Sequence, residues 1–230
     1  MIWAIVPAAG TGSRSGAEVP KQYQPLLGKP MIEYALDVLA QHPDIDGIML
    51  AVAADDTRWQ GISHWRSKPL RFCIGGAQRS QSVLAAIEHL PESSTRDAWV
   101  LVHDAARPCL RFEDLHRLIE SAGAHPVGGL LAGRVKDTVK QGNDECLVQG
   151  TLPRERLWRA FTPQMFPAAS LKRALQHAHQ EQVEITDESS AMERLGLSPL
   201  LVEGHDDNIK VTLPSDFAFA EALLTARSMP

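Results

Sequence analysis

The chain has 230 residues, 44% of them hydrophobic, so it can bury a sizeable core in one or two domains. Its formal net charge of -5 argues against sequence-blind nucleic-acid binding, which draws on a broad positive surface. No run approaches the ~20 apolar residues of a membrane span, the first apolar run lacks the basic flank of a signal peptide, and Cys73, Cys109 and Cys146 form no Cys-x-x-Cys pair, so they are expected to be buried thiols of a reducing, cytoplasmic compartment.

Residues 2–6 are all apolar and are followed by Pro7 and Gly10, which predicts a buried strand. The segment Pro7-Ala8-Ala9-Gly10-Thr11-Gly12-Ser13-Arg14 has little side-chain bulk before Arg14, so its amides can approach an anion closely. Arg14, with Lys21 of Pro20-Lys21-Gln22, can add formal charge. A polyphosphate site and a structural strand-to-helix turn both fit this stretch. The P-loop spacing G-x-x-x-x-G-K-[ST] occurs nowhere, and the dinucleotide fingerprint G-x-G-x-x-G would need glycine at Ser15.

Farther along, Met31, Ala35 and Leu39 share one face of a helix predicted over residues 30–39. Apolar runs at 48–52 and 72–74 read as strands, and Val83, Leu84 and Ile87 mark the next helix. Residues 99–102 form another buried-looking strand; Leu115, Leu118, Ile119 and Ala122, then Leu171, Ala174, Leu175 and Ala178, repeat the helical i, i+3, i+4, i+7 spacing. Strands alternating with helices predict an α/β fold with a largely parallel sheet covered on both faces. One segment breaks the alternation: residues 135–140 and 146–151 flank the polar stretch Gln141-Gly142-Asn143-Asp144-Glu145, a β-hairpin expected to project as an arm, with a second subunit as the economical candidate to pack on and a surface flap as the alternative. Leu213-Pro214-Ser215-Asp216 opens a terminal helix.

Open α/β sheets bind ligands beyond the carboxyl ends of their strands. The strand at 99–102 delivers His103-Asp104-Ala105-Ala106-Arg107-Pro108 to that edge, where Asp104 suits Mg²⁺, which takes one or two carboxylates plus phosphate oxygens, and Arg107 offers a fork for a second phosphate. The nine histidines show no zinc spacing, and His103 is expected to support its loop.

Together with Gly75-Gly76-Ala77-Gln78-Arg79 and Ser82-Val83, Thr162-Pro163-Gln164, Thr186-Asp187-Glu188 and Asp207-Asn208-Ile209-Lys210-Val211-Thr212, these motifs stand in the order seen in the 2-C-methyl-D-erythritol 4-phosphate cytidylyltransferases, a family the chain resembles over nearly its whole length. The resemblance implies a Rossmann-like nucleotidyltransferase domain over residues 1–230, with residues 134–154 as a β-arm joining a homodimer. It also implies CMP transfer from CTP to methylerythritol phosphate, with Mg²⁺ or another divalent cation, in non-mevalonate isoprenoid synthesis.

Position by position, the resemblance places the triphosphate on Ala8, Ala9 and Gly10, with Arg14 and Lys21 as charged catalytic contacts and Lys210 near the reacting phosphates. It assigns cytosine and ribose to Gly76 and Ser82, the metal to Asp104, and the acceptor to Arg107, Thr138, Thr162, Thr186 and Arg154, the last supplied across the dimer. Ser15, where methionine is usual, and Ala77, where some members carry an acid, depart from the pattern. A ribitol 5-phosphate cytidylyltransferase, differing chiefly around the acceptor, and a nucleotide-binding regulator without turnover are the alternatives; a purely structural oligomer is a third, which leaves the small and cationic residues at the predicted strand ends unexplained. Neither nucleic acid nor membrane is expected as a partner.

Overall fold

A computed structural model describes residues 1–10, 19–91 and 98–228. Strand β1 (Ile2–Ala8) is followed by the two-residue strands β2 (Pro25–Leu26) and β3 (Lys29–Pro30), helix α1 (Met31–Gln41), β4 (Ile45–Val52), β5 (His64–Trp65), β6 (Lys68–Ile74) and α2 (Arg79–Glu88). Next come β7 (Trp99–Val102), α3 (Phe112–Gly123), β8 (Gly129–Arg134), β9 (Val139–Gly142), β10 (Val148–Leu152) and β11 (Trp158–Pro167). Helices α4 (Ala168–Gln180) and α5 (Glu188–Arg194), strand β12 (Leu200–Glu203) and helix α6 (Pro214–Ser228) complete the described chain.

Eight strands form one sheet in the order β12-β8-β11-β7-β1-β4-β6-β5. The contacts β7·β1, β1·β4 and β4·β6 are parallel, as continuous apolar runs separated by helices require, whereas β11 runs antiparallel to both β7 and β8. Side chains of β1 alternate between two cores. Ala4 and Val6 join Ile32, Leu36, Leu115 and Leu118 of α1 and α3, while Trp3 and Ile5 join Val83, Leu171 and Met192 of α2, α4 and α5. Both faces of the sheet centre are therefore dry, and each fully buried aliphatic side chain contributes about 1.5–3 kcal/mol through removal from water.

The expected elements differ in three places, and β8, β11, α5 and β12 have no counterpart among them. The hairpin strands are β9 and β10, joined by a turn through Asn143 to Leu147; residues 135–138 are not strand, and Gln141 and Gly142, expected in the turn, belong to β9. Phe72 and Ile74 of β6 are exposed, since this strand lies near the sheet edge and buries mainly Leu70 and Cys73. Cys73 and Cys109 are buried, but Cys146 is exposed in the hairpin turn at φ 61, so the expectation of three buried thiols is corrected for that one.

Because β1, β7 and β6 point the same way, the segments leaving their carboxyl ends gather at one edge of the sheet. These are Ala9 and Gly10, the His103–Pro108 segment and the Gly75–Gln78 turn. That convergence positions the site.

Candidate active site

The segment after β1 is held from beneath by Gln22, a buried side chain in the 3₁₀ turn Lys21–Tyr23. Its Nε2 donates to the Ala8 carbonyl at 2.7 Å and the Gly10 carbonyl at 3.2 Å, so the glutamine of Pro20-Lys21-Gln22 satisfies backbone acceptors while Lys21 beside it faces the cavity. Across the cavity, a Cβ on Gly75 would stand 2.5 Å from that of Ala9, and one on Gly76 would stand 2.4 Å from the Gln81 Cβ; only glycine permits these approaches. The Ser82 hydroxyl accepts from the Gly76 amide at 3.1 Å and lies 3.2 Å from the Gln78 carbonyl, to which it donates. Ser82 thus shapes the turn that lines the cavity.

The segment after β7 is fixed by a buried chain of hydrogen bonds. His103 Nε2 lies 3.1 Å from the Arg107 carbonyl, which can only accept, so this nitrogen carries the proton. Nδ1 is then an acceptor for the Thr162 hydroxyl at 3.1 Å, and that hydroxyl oxygen accepts from the Asp104 amide at 3.0 Å. Burial pushes the His103 imidazole down to about 4, consistent with a neutral ring serving as a strut. Asn208 closes the arrangement: its side-chain Nδ2 donates to the Thr162 carbonyl at 2.8 Å, and its backbone carbonyl accepts from Arg107 Nη1 at 2.6 Å.

These contacts aim Asp104. Its Oδ1 accepts from Arg79 Nε at 2.8 Å and its Oδ2 lies 2.8 Å from Lys210 Nζ, with Arg107 Nε at 4.0 Å. Burial alone would raise the carboxyl; the charges of Arg79 and Lys210 outweigh it and hold Asp104 well below the usual carboxylate range. Arg79 reaches onward to Glu188, with Nη1 to Oε1 at 2.6 Å and Nη2 to Oε2 at 3.1 Å.

Two cavities of about 220 Å³ each meet at this cluster. The first is lined by Ala8, Ala9, Gly10, Lys21, Gly76, Ser82, Asp104 and Lys210, which brings together most residues expected to hold the nucleotide and metal. The second is lined by Arg107, Thr162 and Thr186 of the expected acceptor set, and it shares Arg79, Asp104 and Lys210 with the first. Thr138 and Arg154 line neither; both are exposed beside the hairpin, where Arg154 donates to the Lys136 carbonyl. Arg14 lies outside the described residues. Arg79, Glu188, Gln22 and Asn208 have no role assigned from sequence, although each stands in a quoted motif; a charged residue inside such a motif is the available signal for Arg79 and Glu188, and nothing local marks Gln22 and Asn208.

No group of three or more metal-ligating side chains occurs among the described residues. Asp104 is the one carboxylate lining the first cavity among the described residues, and each of its oxygens retains lone-pair capacity beyond the single hydrogen-bond-range cation it meets. That donor set fits a Mg²⁺-like ion whose remaining ligands are phosphate oxygens and water, and does not fit an all-protein cage.

A largely parallel sheet carrying at one edge a small-residue segment, a cationic cluster and an acidic strand tip defines a nucleotidyltransferase of the α/β class. Residues 2–226 match the IspD family, described as 2-C-methyl-D-erythritol 4-phosphate cytidylyltransferase. The chain is 53% identical over 228 residues to the enzyme of that name from Xanthomonas euvesicatoria pv. vesicatoria, covering 99% of this chain and 86% of the relative. It is 51% identical over 227 residues to that of Stenotrophomonas maltophilia, covering 99% and 98%. Among solved structures, a 4-diphosphocytidyl-2C-methyl-D-erythritol synthase superposes with a TM-score of 0.82 at 36% identity over 97% of this chain and 98% of the other. The Francisella tularensis cytidylyltransferase superposes at 0.81 with 33% identity over 96% and 99%. The chain belongs to the 2-C-methyl-D-erythritol 4-phosphate cytidylyltransferase family and is an enzyme of the transferase class.

Proposed function

We propose that the two adjoining cavities carry out the family reaction: CTP occupies the first, 2-C-methyl-D-erythritol 4-phosphate the second, and the products are 4-diphosphocytidyl-2-C-methyl-D-erythritol and pyrophosphate. The enzyme is a cytidylyltransferase of the non-mevalonate isoprenoid pathway. The observation that carries the division of substrates is the shared wall of Arg79, Asp104 and Lys210 between a cavity reached by Lys21 and one reached by Arg107 and Thr186.

An acceptor phosphate oxygen attacks the α-phosphorus of CTP, the bond from that phosphorus to the bridging oxygen of pyrophosphate breaks, and pyrophosphate departs. The attacking monoester is anionic near neutral pH, so no general base is needed. The barrier lies in bringing two anions together and in stabilising charge on the leaving group. Lys21, and Arg14 by the resemblance, meet the triphosphate; Lys210 stands where both substrates meet; Arg107 and Thr186 hold the acceptor phosphate. Thr162 acts by holding the Asp104 amide and His103, its hydroxyl being engaged in both directions. A divalent cation on Asp104 would withdraw negative charge from the phosphates when bound.

The arm supports assembly as a homodimer. Leu147, Val148 and Leu152 of the hairpin region are exposed, and an isolated hairpin is marginal in water, so a second subunit is the economical cover for them. In that assembly Thr138 and Arg154 belong to the partner's acceptor cavity, in line with neither of them lining the two cavities of its own chain. Pyrophosphate release measured with CTP and Mg²⁺, comparing methylerythritol phosphate with ribitol 5-phosphate and CTP with the other nucleoside triphosphates, tests the reading. Turnover confined to CTP and methylerythritol phosphate is expected, and equal or better turnover of ribitol 5-phosphate overturns the acceptor assignment.

A further inference from the structure

We propose that Glu188 is a positioning residue that acts on the metal-bearing carboxylate through Arg79: by sharing the Arg79 guanidinium with Asp104, it offsets the Arg79 charge, so that Asp104 is not neutralised and can still take a divalent cation. The inference rests on the reading of Asp104 as the metal contact.

Arg79 opens α2, Glu188 opens α5, and Asp104 follows β7, so three separate elements meet in one ion network. The guanidinium uses both Nη groups on Glu188, at 2.6 and 3.1 Å, and Nε on Asp104 at 2.8 Å. A planar fork can divide itself between two carboxylates in this way, and a lysine could not. Glu188 is 1% exposed and lines neither substrate cavity, so it acts through Arg79 alone. Counting Lys210 and the more distant Arg107 on the other oxygen, the network holds three cations and two carboxylates and carries one formal positive charge. Without the Glu188 charge, three cations would face one carboxylate, and the more strongly positive cluster would repel a further cation while attracting a bare triphosphate. Buried ion pairs contribute little to stability when set against apolar packing, so stability alone is a weak reason to place a carboxylate here.

The predicted signature is a pair of opposite changes in CTP affinity, measured by calorimetry without metal and with saturating Mg²⁺. Glu188→Gln should bind metal-free CTP at least as tightly as the wild type, while its gain in affinity on adding Mg²⁺ falls by about fivefold or more. A merely structural defect would weaken both. The double variant Arg79→Gln/Glu188→Gln removes the uncompensated cation and should recover a Mg²⁺ gain within about twofold of the wild type. Thermal unfolding of each protein reports whether it is folded, and the double variant carries the test if the single one is not: a gain lost there overturns the proposal. So does a Glu188→Gln protein with an undiminished gain, or one weakened in both conditions. Asp104→Asn separates the two levels of argument. Loss of the Mg²⁺ gain is expected, and an unchanged gain would overturn the reading of Asp104 itself.

Discussion

Thr162 offers the sharpest test of how the site is held. Replacing it by valine keeps the shape and removes one hydroxyl, which leaves the Asp104 amide and His103 Nδ1 without their partners at 3.0 and 3.1 Å. Each stranded buried polar group costs about 1–3 kcal/mol, so the expected destabilisation is about 3 kcal/mol in total. For a chain of this length that corresponds to a fall in Tm of roughly 9 °C. The Asp104 backbone is then free to shift, and turnover should fall by on the order of tenfold to a hundredfold, since small misplacements in a preorganised site are expensive. Thr162→Ser is the control: it keeps the hydroxyl, gives up one methyl group at about 1 kcal/mol, and should retain most activity. Urea unfolding followed by tryptophan fluorescence, together with pyrophosphate release, reads both effects. If valine is no worse than serine in either assay, the hydroxyl is not the strut.

Lys21→Ala should unfold like the wild type yet lose about 3 kcal/mol of transition-state stabilisation, a rate loss on the order of a hundredfold; near-normal pyrophosphate release would remove Lys21 from the mechanism. His103 has its folded-state pKa depressed by burial from 6.5 to about 4, so the unfolded chain binds the extra proton first and stability is lost as pH falls through that window, by about 3 kcal/mol at most. In urea titrations at several pH values, His103→Gln should flatten the slope between those limits, and an unchanged slope would show that His103 is not its source. Mixed dimers of Arg154→Ala chains with chains inactivated at Lys21 should recover activity if Arg154 acts across the interface; no recovery would place it within its own chain. Arg107→Lys, which loses the fork, should raise KM for the acceptor with little change in KM for CTP, and equal changes in both would argue against the division of the cavities.

Most of the sheet was legible in the sequence because its central strands are apolar on both faces. Ile2 to Val6 and Trp99 to Val102 alternate between two cores and offer no polar position to confuse the reading. Strand β11 was not, since Thr162, Pro163 and Gln164 interrupt its apolar pattern; Thr162 and Gln164 are buried because their polar groups are bonded within the site. Leu200 to Glu203 is too short and too exposed at its ends for periodicity to find. Of the site, small residues and lone charges at strand ends were visible as chemistry, whereas Gln22, Arg79, Glu188 and Asn208 matter through partners distant in sequence. The Arg79–Glu188 pair spans 109 positions, a separation no local pattern encodes.

The most direct measurement is a crystal structure of the chain with CTP and Mn²⁺, located by its anomalous signal. The account predicts a manganese peak beside Asp104, with the triphosphate lying between it and Lys21 along residues 8–10. A peak remote from Asp104, or a triphosphate bound outside that cavity, would contradict it.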